Sequence, residues 1–452
     1  MSKIRVKNFG PISDGFSEND GFIDLNKIIV FIGSQGAGKS AIAKLIATFC
    51  WLEKALVRGD FSTVSSEEFR NNYLAYHCID SYLREDSFIE YRGSAFNFIC
   101  NGFNFKIQKN HSDVLRYEKP KVTYIPAERN LISTLRNPVA TKGLPKNLFE
   151  LLDDFYEARK LFIKQYFDLP LKQFKYRFDE KTGNSYVSNS QNSFETELYE
   201  AASGLQSIVP LALVTQYNSE LISSEKDSGK WEKYSFDELK KAKQLFDAQI
   251  KLLDSEILQQ QFFAYMSQNN PWLYNFYLTN GFLKRNEKMN LQKKYAEKEK
   301  NILSALEYGI YSLIDCRTVT IVEEPEQNLF PESQADILYH LLRCVNSDNK
   351  LKSQNTCNSL IITTHSPYIV EALNNSIYAK RLKESGKNIK DLLQDSELVA
   401  YDDVLAFKVY DGKIESIKDD SLKQIDVTYL DSCSERIRTL YGALEDIEYG
   451  IL

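Results

Sequence analysis

The chain has 452 residues, of which 43% are hydrophobic and 26% are charged. This balance is typical of a globular protein with a large core, and the length favours two or three structural units. A net charge of −6 excludes the global basic field that holds nucleic acid without sequence preference.

The cysteines and the apolar segments exclude further classes. Seven cysteines are scattered without a C-x-x-C pair, which argues against a disulfide framework or a zinc site. The N-terminus has no apolar signal region, and no apolar run reaches the ~18 residues that span a membrane. We therefore expect a cytoplasmic protein without a membrane segment.

The first strong motif is a phosphate-binding loop. Residues 33–40 match G-x-x-x-x-G-K-S, between an apolar strand at 27–32 and a helical pattern at 41–47. Strand, loop and helix N-terminus together direct backbone N–H groups at a polyphosphate. Lys39 is expected to reach the β- and γ-phosphates, and the Ser40 hydroxyl to ligate Mg²⁺. The residues assigned to nucleotide binding are Gly33, Ser34, Gln35, Gly36, Ala37, Gly38, Lys39 and Ser40.

The next segment predicts an antiparallel β layer followed by helices. Alternating aromatics at 96–100 and 103–107 flank Asn101-Gly102, which is a hairpin signal. Residues 122–125 form a short predicted strand that Pro126 stops. A helical pattern runs from about 145 to 170, and the polar stretch 180–193 predicts a mobile loop.

A Ser-Gly turn precedes an apolar helix at 208–214. The residues that could bind an anion there are Ser203, Gly204 and Gln206. Taken alone, this turn is better explained as a plain helix cap.

Residues 236–314 predict an inserted helical hairpin with Asn269–Pro271 as its break. It is either a packed pair of helices or a surface for oligomerisation or partner docking. In the second case, Glu at Phe246 and Leu253 would break assembly and leave a folded monomer. The stretch 284–300 has seven Lys/Arg and three Glu, which favours a solvated helix face over DNA binding.

A second carboxylate-bearing motif follows the strand pattern at 318–322. Glu323 would hold Mg²⁺ through water, and Glu324 would polarise the water that attacks the phosphate. The alternative is an acidic turn after an edge strand. A further strand, 359–364, delivers His365 to a strand end, where it can contact the γ-phosphate.

The order of these motifs resembles that of ABC-type ATPases of the SMC-like branch. The resemblance implies an α/β P-loop NTPase fold of ABC ATPase type, with an antiparallel β subdomain and the inserted hairpin. It implies ATP and Mg²⁺ as ligands, Glu324 as catalytic glutamate and His365 as switch histidine. Ser203 and Gly204 match the signature motif, which contacts the nucleotide of the other subunit in a head-to-tail dimer.

The chain departs from this family pattern in three places. Glu323 replaces the usual aspartate, which predicts slow hydrolysis, and Leu205 replaces the second signature glycine. The Gln-loop position is occupied by 126–130, where Glu128 or Arg129 would stand in for the glutamine. Asn328 and Leu329 fall where the D-loop lies, and are not counted among the site residues.

Three motifs carry a finer resemblance: Tyr-Ile-Pro-Ala-Glu-Arg-Asn at 124–130, Ser-Gly-Leu-Gln-Ser at 203–207 and Glu-Glu-Pro-Glu-Gln-Asn-Leu-Phe-Pro at 323–331. Within this branch they resemble stand-alone ATPases of bacterial anti-phage systems, namely the Septu ATPase (PtuA) and the PARIS ATPase (AriA). OLD nucleases share the ATPase half but add a TOPRIM domain, and only 87 residues (452 minus 365) follow His365 here. We therefore expect a subunit that holds a separate HNH or TOPRIM nuclease and responds to a phage protein or nucleic acid.

The alternatives are an SMC-like DNA-repair ATPase and a transporter subunit. An SMC-like ATPase would require long coiled coils, and the predicted hairpin at 236–314 is too short to form them. The large insert between the signature and the carboxylate motif argues against a transporter subunit. The chain is expected to divide into an N-terminal core part (1–145), a signature region (146–235), the hairpin (236–314) and a C-terminal core part (315–452).

Overall fold

The computed structural model of the chain describes most of its length. The described residues are 2–110, 117–135, 144–163, 165–191, 194–224, 236–253, 256–282, 300–303, 305–306, 315–347, 358–389, 392–428 and 439. Their strands are β1 Lys3–Lys7, β2 Gly15–Phe16, β3 Ile23–Asp24, β4 Ile28–Ile32, β5 Phe88–Arg92, β6 Phe96–Asn101, β7 Asn104–Lys109, β8 Pro120–Ile125, β9 Phe167–Asp168, β10 Phe174–Asp179, β11 Asn184–Asn189, β12 Glu195–Glu197, β13 Arg317–Glu323, β14 Ser359–Thr364, β15 Val404–Tyr410, β16 Lys413–Ser416, β17 Lys418–Asp419 and β18 Gln424–Ile425. Their helices are α1 Lys39–Arg58, α2 Ser66–Glu68, α3 Asn130–Ser133, α4 Lys146–Arg159, α5 Ser203–Ser224, α6 Phe236–Ile250, α7 Glu256–Asn269, α8 Pro271–Thr279, α9 Pro331–Val345 and α10 Pro367–Glu384.

A seven-stranded sheet in the order β2-β16-β15-β4-β14-β13-β8 carries the nucleotide motifs. The run from β15 to β8 is parallel throughout. Every residue of β4 is buried because helices cover both faces of these central strands. The chain therefore has the α/β fold of a P-loop NTPase.

Two apolar cores flank this sheet. On one face, α1 lies between the central sheet and a second, antiparallel sheet in the order β3-β1-β5-β6-β7. On the other face, α4, α5, α9 and α10 pack against the sheet, and the antiparallel sheet β12-β11-β10-β9 joins that core. The predicted antiparallel β layer beside the phosphate loop is present.

The predicted hairpin at 96–107 is confirmed with its turn moved by one residue. Asn101 pairs with Asn104, so Gly102 and Phe103 form the two-residue turn. Gly102 has a φ of 54° and Phe103 does not share this positive value, which suits a turn with Gly in the first central position.

The prediction of a mobile loop at 180–193 is wrong for its central six residues. Residues 184–189 form β11, which pairs with β10 and β12. Val187 is buried, and the positive φ of Gly183 (73°) makes the turn that leads into the strand. The polar composition reflects a strand with only one buried side chain, since its neighbours are partly exposed.

The insert at 236–314 does not form two long arms where the structure describes it. Helices α6, α7 and α8 pack into a cluster with its own apolar core, hereafter the helical cluster. Phe246 lies 4.4 Å from the ring of Tyr277 and is 3% exposed, and Leu253 is 4% exposed. The expectation that Glu at these two positions leaves a folded monomer is therefore wrong, because both side chains hold the cluster together.

The predicted hairpin includes a second helical pattern at 286–314. Most of that range and nearly all of the basic stretch 284–300 lie outside the described residues. In the part that is described, no helix is both long and apolar enough to cross a bilayer. The described cysteines Cys50, Cys78, Cys100, Cys316 and Cys344 form no disulfide among themselves.

Candidate active site

Parallel strand register brings the motifs to one edge of the sheet. Ile32 of β4 is aligned with Thr364 of β14, and Thr363 is aligned with Glu323 of β13. Neighbouring strands lie ~4.8 Å apart, so the residues that follow these strand ends are neighbours in space. The phosphate loop, His365 and Glu324 therefore meet at the carboxyl edge, where ligands bind in open α/β sheets.

The phosphate loop has the backbone that its glycines allow. Gly36 and Gly38 have φ values of 74° and 109°, which side chains with a Cβ rarely adopt. A Cβ on Gly38 would also lie 2.9 Å from Ile12. Ser34 and Gln35 are exposed at the tip of the loop, and α1 begins at Lys39.

The side chain of Lys39 lies on the inner side of the phosphate loop. Its Nζ donates to the carbonyls of Gly33 and Ser34, each at 2.9 Å, and lies 3.2 Å from Nε2 of His365. Burial lowers the pKa of Lys39 to about 8, although Glu324 and its neighbouring carboxylates oppose this shift. The ammonium group is thus held where the β- and γ-phosphates of a nucleotide would lie.

Glu324 and His365 form a pair beside this lysine. Nε2 of His365 lies 3.1 Å from Oε1 of Glu324, and both side chains remain partly exposed. The hydrogen bond from His365 is the largest of the effects that lower the pKa of Glu324. The carboxylate therefore stays ionised and can accept a proton from water.

The backbone of Glu324 is strained, and both its N–H and its carbonyl are hydrogen-bonded. Its φ is 44°, in the left-handed region that costs a non-glycine residue about 1–3 kcal/mol. Its N–H donates to the carbonyl of Thr363 at 2.8 Å, and its carbonyl accepts from Nη2 of Arg129 at 2.8 Å. These bonds fix the turn that directs the carboxylate out of the sheet edge.

Glu323 is buried at the end of β13 and is suited to a cation. Its Oε1 is shielded from solvent and has no hydrogen-bond partner among the described residues. An unpaired buried carboxylate oxygen is costly unless a cation or water satisfies it. With the hydroxyl of Ser40 and phosphate oxygens, Glu323 fits the oxygen-rich, partly hydrated shell that Mg²⁺ prefers. No group of three His, Cys, Asp or Glu side chains in the described ranges forms a separate metal site.

Arg129, one of the two residues expected to stand in for the Gln-loop glutamine, is a buried connector. It is 1% exposed, and its guanidinium donates to four backbone carbonyls of the described residues, those of Pro126, Ser207, Glu323 and Glu324. Burial lowers its pKa to about 10, so it stays charged at neutral pH. Its hydrogen bonds connect the segment that follows β8 to α5 and to the end of β13. Glu128 is exposed beside it.

The signature residues lie on α5, next to the predicted D-loop of the same chain. A Cβ on Gly204 would lie 2.8 Å from the carbonyl oxygen of Asn328, whose φ is 60°. Ser203 is exposed. The side-chain amide of Gln206 donates to the carbonyl of Tyr199 at 2.8 Å, so it is anchored within its own region.

The first turns of α5 are fastened to α3 at a proline. Pro210 has no N–H for the carbonyl of Gln206, four residues earlier, and the hydroxyl of Ser133 donates to that carbonyl at 2.7 Å. Nε of Arg129 donates to the next carbonyl, that of Ser207, at 3.1 Å. The signature helix is therefore coupled through α3 to the strand ends of the nucleotide site.

Glu326 is a site residue to which the sequence analysis gave no role. Its Oε1 accepts from the hydroxyl of Thr364 and from the N–H of His365, each at 2.7 Å. It therefore positions the histidine loop from the neighbouring strand. Its place in the Glu-Glu-Pro-Glu motif, two residues after Glu324, was the available signal.

One family matches part of the chain. Residues 302–371, well under half of the sequence, match the family described as "AAA domain, putative AbiEii toxin, Type IV TA system". None of the curated proteins is similar in sequence. The matched domain and the motif set at the sheet edge identify the chain as an ATPase.

Several solved structures are similar at low identity. They are the SMC head domain from Thermotoga maritima (8% identity, TM-score 0.34, covering 94% of this chain and 98% of that chain), the SmcHead bound to the C-winged helix domain of ScpA (7%, 0.35, 92% and 96%), and the recombination mediator protein RecF of the RecFOR pathway (10%, 0.27, 92% and 97%). Similarities at this level carry no argument about what this chain does.

Proposed function

We propose that the chain is an ATP-driven switch subunit of a bacterial anti-phage defence complex. It binds ATP and Mg²⁺ between two copies arranged head to tail, in the cytoplasm, and hydrolyses ATP slowly. It holds a separate nuclease of the HNH or TOPRIM type and releases its activity when a phage protein or nucleic acid is sensed. The proposal rests on the ATPase site and on the resemblance of its motifs to partnered ATPases.

In this proposal each site residue has one task. Lys39 and the loop N–H groups neutralise the phosphates, and Ser40 and Glu323 hold Mg²⁺, which screens the charge on the transferred phosphoryl group. Glu324 accepts the proton of the attacking water, and His365 orients that carboxylate. A carboxylate with a lowered pKa is a weak base, which agrees with slow turnover.

The observation that carries the switch role is the position of Arg129. One buried side chain holds the carbonyls of Glu323 and Glu324 and the carbonyl of Ser207 on the signature helix. A change at the sheet edge on ATP binding is therefore transmitted to α5, which carries exposed Ser203 toward a second copy. A partner bound to the outer surface would have different affinities for the two arrangements.

Co-expression with the product of the neighbouring gene tests the proposal. We expect a complex that survives size exclusion, and a nuclease activity that Lys39→Ala in this chain alters. The purified chain alone should cut neither DNA nor RNA with ATP and Mg²⁺. Nuclease activity of the isolated chain that is lost on mutating one of its own residues would overturn the proposal.

A DNA-associated ATPase of the SMC-like type is the second candidate. Its support is the basic sequence of 284–300, with seven Lys/Arg and three Glu, although this composition by itself favours a solvated helix face over DNA binding. Duplex DNA that binds the isolated chain and stimulates its ATP hydrolysis, with both effects lost when those lysines become glutamines, would select this candidate. Absence of DNA binding together with a stable nuclease complex would select the first.

A further inference from the structure

A cavity of about 160 Å³ lies behind the ATP site, between α1, β8 and α4. It is lined by Ala47, Thr48 and Trp51 of α1. These residues lie eight to twelve positions beyond Lys39, which is ~12–18 Å along a helix. The cavity is therefore separate from the space where the phosphates bind.

The walls of the cavity are aromatic. They include Trp51, Tyr73, Tyr76, His77 and Tyr124. The His77 ring lies 4.7 Å from the rings of both Tyr76 and Tyr124. At the outer side, Trp51 is 38% exposed and lies 5.8 Å from Tyr73. Such walls favour a flat ring that can stack against them. A cavity of ~150 Å³ in another protein holds one benzene-sized ring, so this one has room for a single ring.

One buried polar atom at the cavity has no hydrogen-bond partner among the described residues. It is Nδ1 of His77, a residue that is 4% exposed. Buried polar atoms are almost always paired with protein or with a bound molecule. The hydroxyl of Tyr124, on the same wall, hydrogen-bonds the Glu323 side chain and keeps an oxygen lone pair. A ligand with hydrogen-bonding groups would therefore satisfy Nδ1 of His77 and could donate to the Tyr124 oxygen.

The charge of the site selects a neutral ligand. Burial, followed by the charge of Lys44, lowers the pKa of His77 to about 3, so the ring is neutral at pH 7. The nearby ammonium of Lys44 disfavours a second cation. The acidic residue of the lining, Glu150, is exposed and its carboxylate is already hydrogen-bonded to the Tyr76 hydroxyl.

We propose that this cavity binds a neutral, planar nitrogen heterocycle of the pyrimidine class, stacked on Trp51 and Tyr73 and hydrogen-bonded to His77 and Tyr124. The ring supplies both donors and acceptors, which an apolar ring lacks. The proposal concerns a second ligand of the ATPase and is independent of the defence role.

Tyr124 connects this ligand to the ATP site. Tyr124 pairs with Ile321 on β13, two residues before Glu323, so both side chains face α1. The Tyr124 hydroxyl hydrogen-bonds the Glu323 side chain. A ligand that accepts or donates a hydrogen bond at this hydroxyl changes the surroundings of Glu323, and so the rate of ATP hydrolysis.

The binding test uses uracil and 2-aminopyrimidine as probes of the full-length protein, followed by saturation-transfer NMR. Both should bind with Kd in the range of about 1 mM, as expected for so few atoms, and should stay bound at saturating ADP. His77→Phe keeps the ring and should weaken binding at least roughly tenfold. Trp51→Leu, at the partly exposed mouth, should weaken it too if His77→Phe does not fold.

A control variant and two control compounds test whether binding is specific to this cavity. Phe103→Leu changes an exposed aromatic on another element and should leave binding unchanged. The proposal is overturned if neither probe binds, if ADP displaces both, if benzyl alcohol or choline binds as tightly, or if the His77 and Trp51 variants both bind like wild type.

The coupling test is separate. At saturation the probes should change the ATPase rate of the wild type by about twofold or more. Tyr124→Phe should still bind them, but its own rate should no longer respond to them. An unchanged wild-type rate, or an equal response in Tyr124→Phe, would overturn the coupling.

Discussion

At the scale of single residues, Lys39 is a cation whose burial destabilises its charged form in the folded protein. Burial lowers its pKa from 10.5 to about 8, so the folded protein binds this proton less tightly than the unfolded chain. Below pH 8 the charged form is present in both states and destabilises the fold. The destabilisation is lifted as pH rises from about 8 to 10.5, where the unfolded chain binds more protons.

The first prediction is that stability and ATP affinity respond to pH with opposite signs. Above about pH 8 the affinity for ATP should fall by up to about tenfold per pH unit, because binding requires the ammonium form. Over the same pH range the contribution of Lys39 to the free energy of unfolding should rise. Calorimetric titration with ATP and urea unfolding from pH 7 to 9.5 measure the two. Lys39→Met should lose the stability trend, and a pH-independent ATP affinity would contradict the lowered pKa.

Arg129 gives the second prediction. Arg129→Met removes a side-chain donor from four carbonyls, three of them in buried hydrogen bonds, and removes the cation that faces Glu323, Glu324 and Glu326. We expect a loss of about 3–5 kcal/mol in the free energy of unfolding. Urea denaturation measures it.

The control for this change is Arg70→Met. Arg70 is exposed and stacks on Phe103 at 5.4 Å, so its removal should cost no more than about 0.5 kcal/mol. If the two variants were equally stable, the role of Arg129 as a buried connector would be wrong.

At the scale of elements, α5 and the segment at 328–329 are in contact through a glycine. In Gly204→Ala, the new Cβ would lie 2.8 Å from the carbonyl of Asn328, so helix or loop must shift. The third prediction is slower ATP hydrolysis with unchanged ATP binding, and a stability loss of about 1–2 kcal/mol. Steady-state kinetics and calorimetry separate the two effects.

Ser207→Ala is the matched change in the same helix. The Ser207 hydroxyl is buried without a hydrogen-bond partner in the described part of the chain, so its loss should leave the rate unchanged. Equal rates for Gly204→Ala and wild type would show that this contact does not matter for turnover.

The helical cluster allows a comparison of adjacent residues. Leu253 is 4% exposed within the cluster core, whereas Leu252 is 48% exposed. The fourth prediction is that Leu253→Glu disorders the cluster and costs more than about 3 kcal/mol, because a carboxylate is buried among apolar side chains. Leu252→Glu should cost less than about 0.5 kcal/mol. Circular dichroism and limited proteolysis monitor both, and equal effects would contradict the observed packing.

At the scale of the whole molecule, the proposed function requires two copies. The fifth prediction is that Glu324→Gln traps ATP, because the amide cannot accept the proton of the attacking water. Hydrolysis should fall roughly 10²- to 10⁴-fold, and the mass measured by light scattering should double with ATP and Mg²⁺. Lys39→Ala should stay a monomer under the same conditions. Hydrolysis by Glu324→Gln at the wild-type rate would exclude Glu324 as the general base.

The sequence by itself determined the α/β class, the phosphate loop, and the strand ends that carry Glu323, Glu324 and His365. It could do so because these features are local: a buried strand, a turn and a helix follow one another within a few residues. The carboxyl ends of parallel strands then meet at one edge whatever the rest of the chain does.

Only the tertiary structure decided the rest. Arg129 bonds to Ser207, Glu323 and Glu324, which lie 78 to 195 residues away along the chain. No local pattern encodes such partners, since they depend on which strands become neighbours. The helical pattern at 236–314 could not reveal that its first helix ends at Ile250 either, because an apolar periodicity is the same for one long helix and for short ones that pack on a shared core.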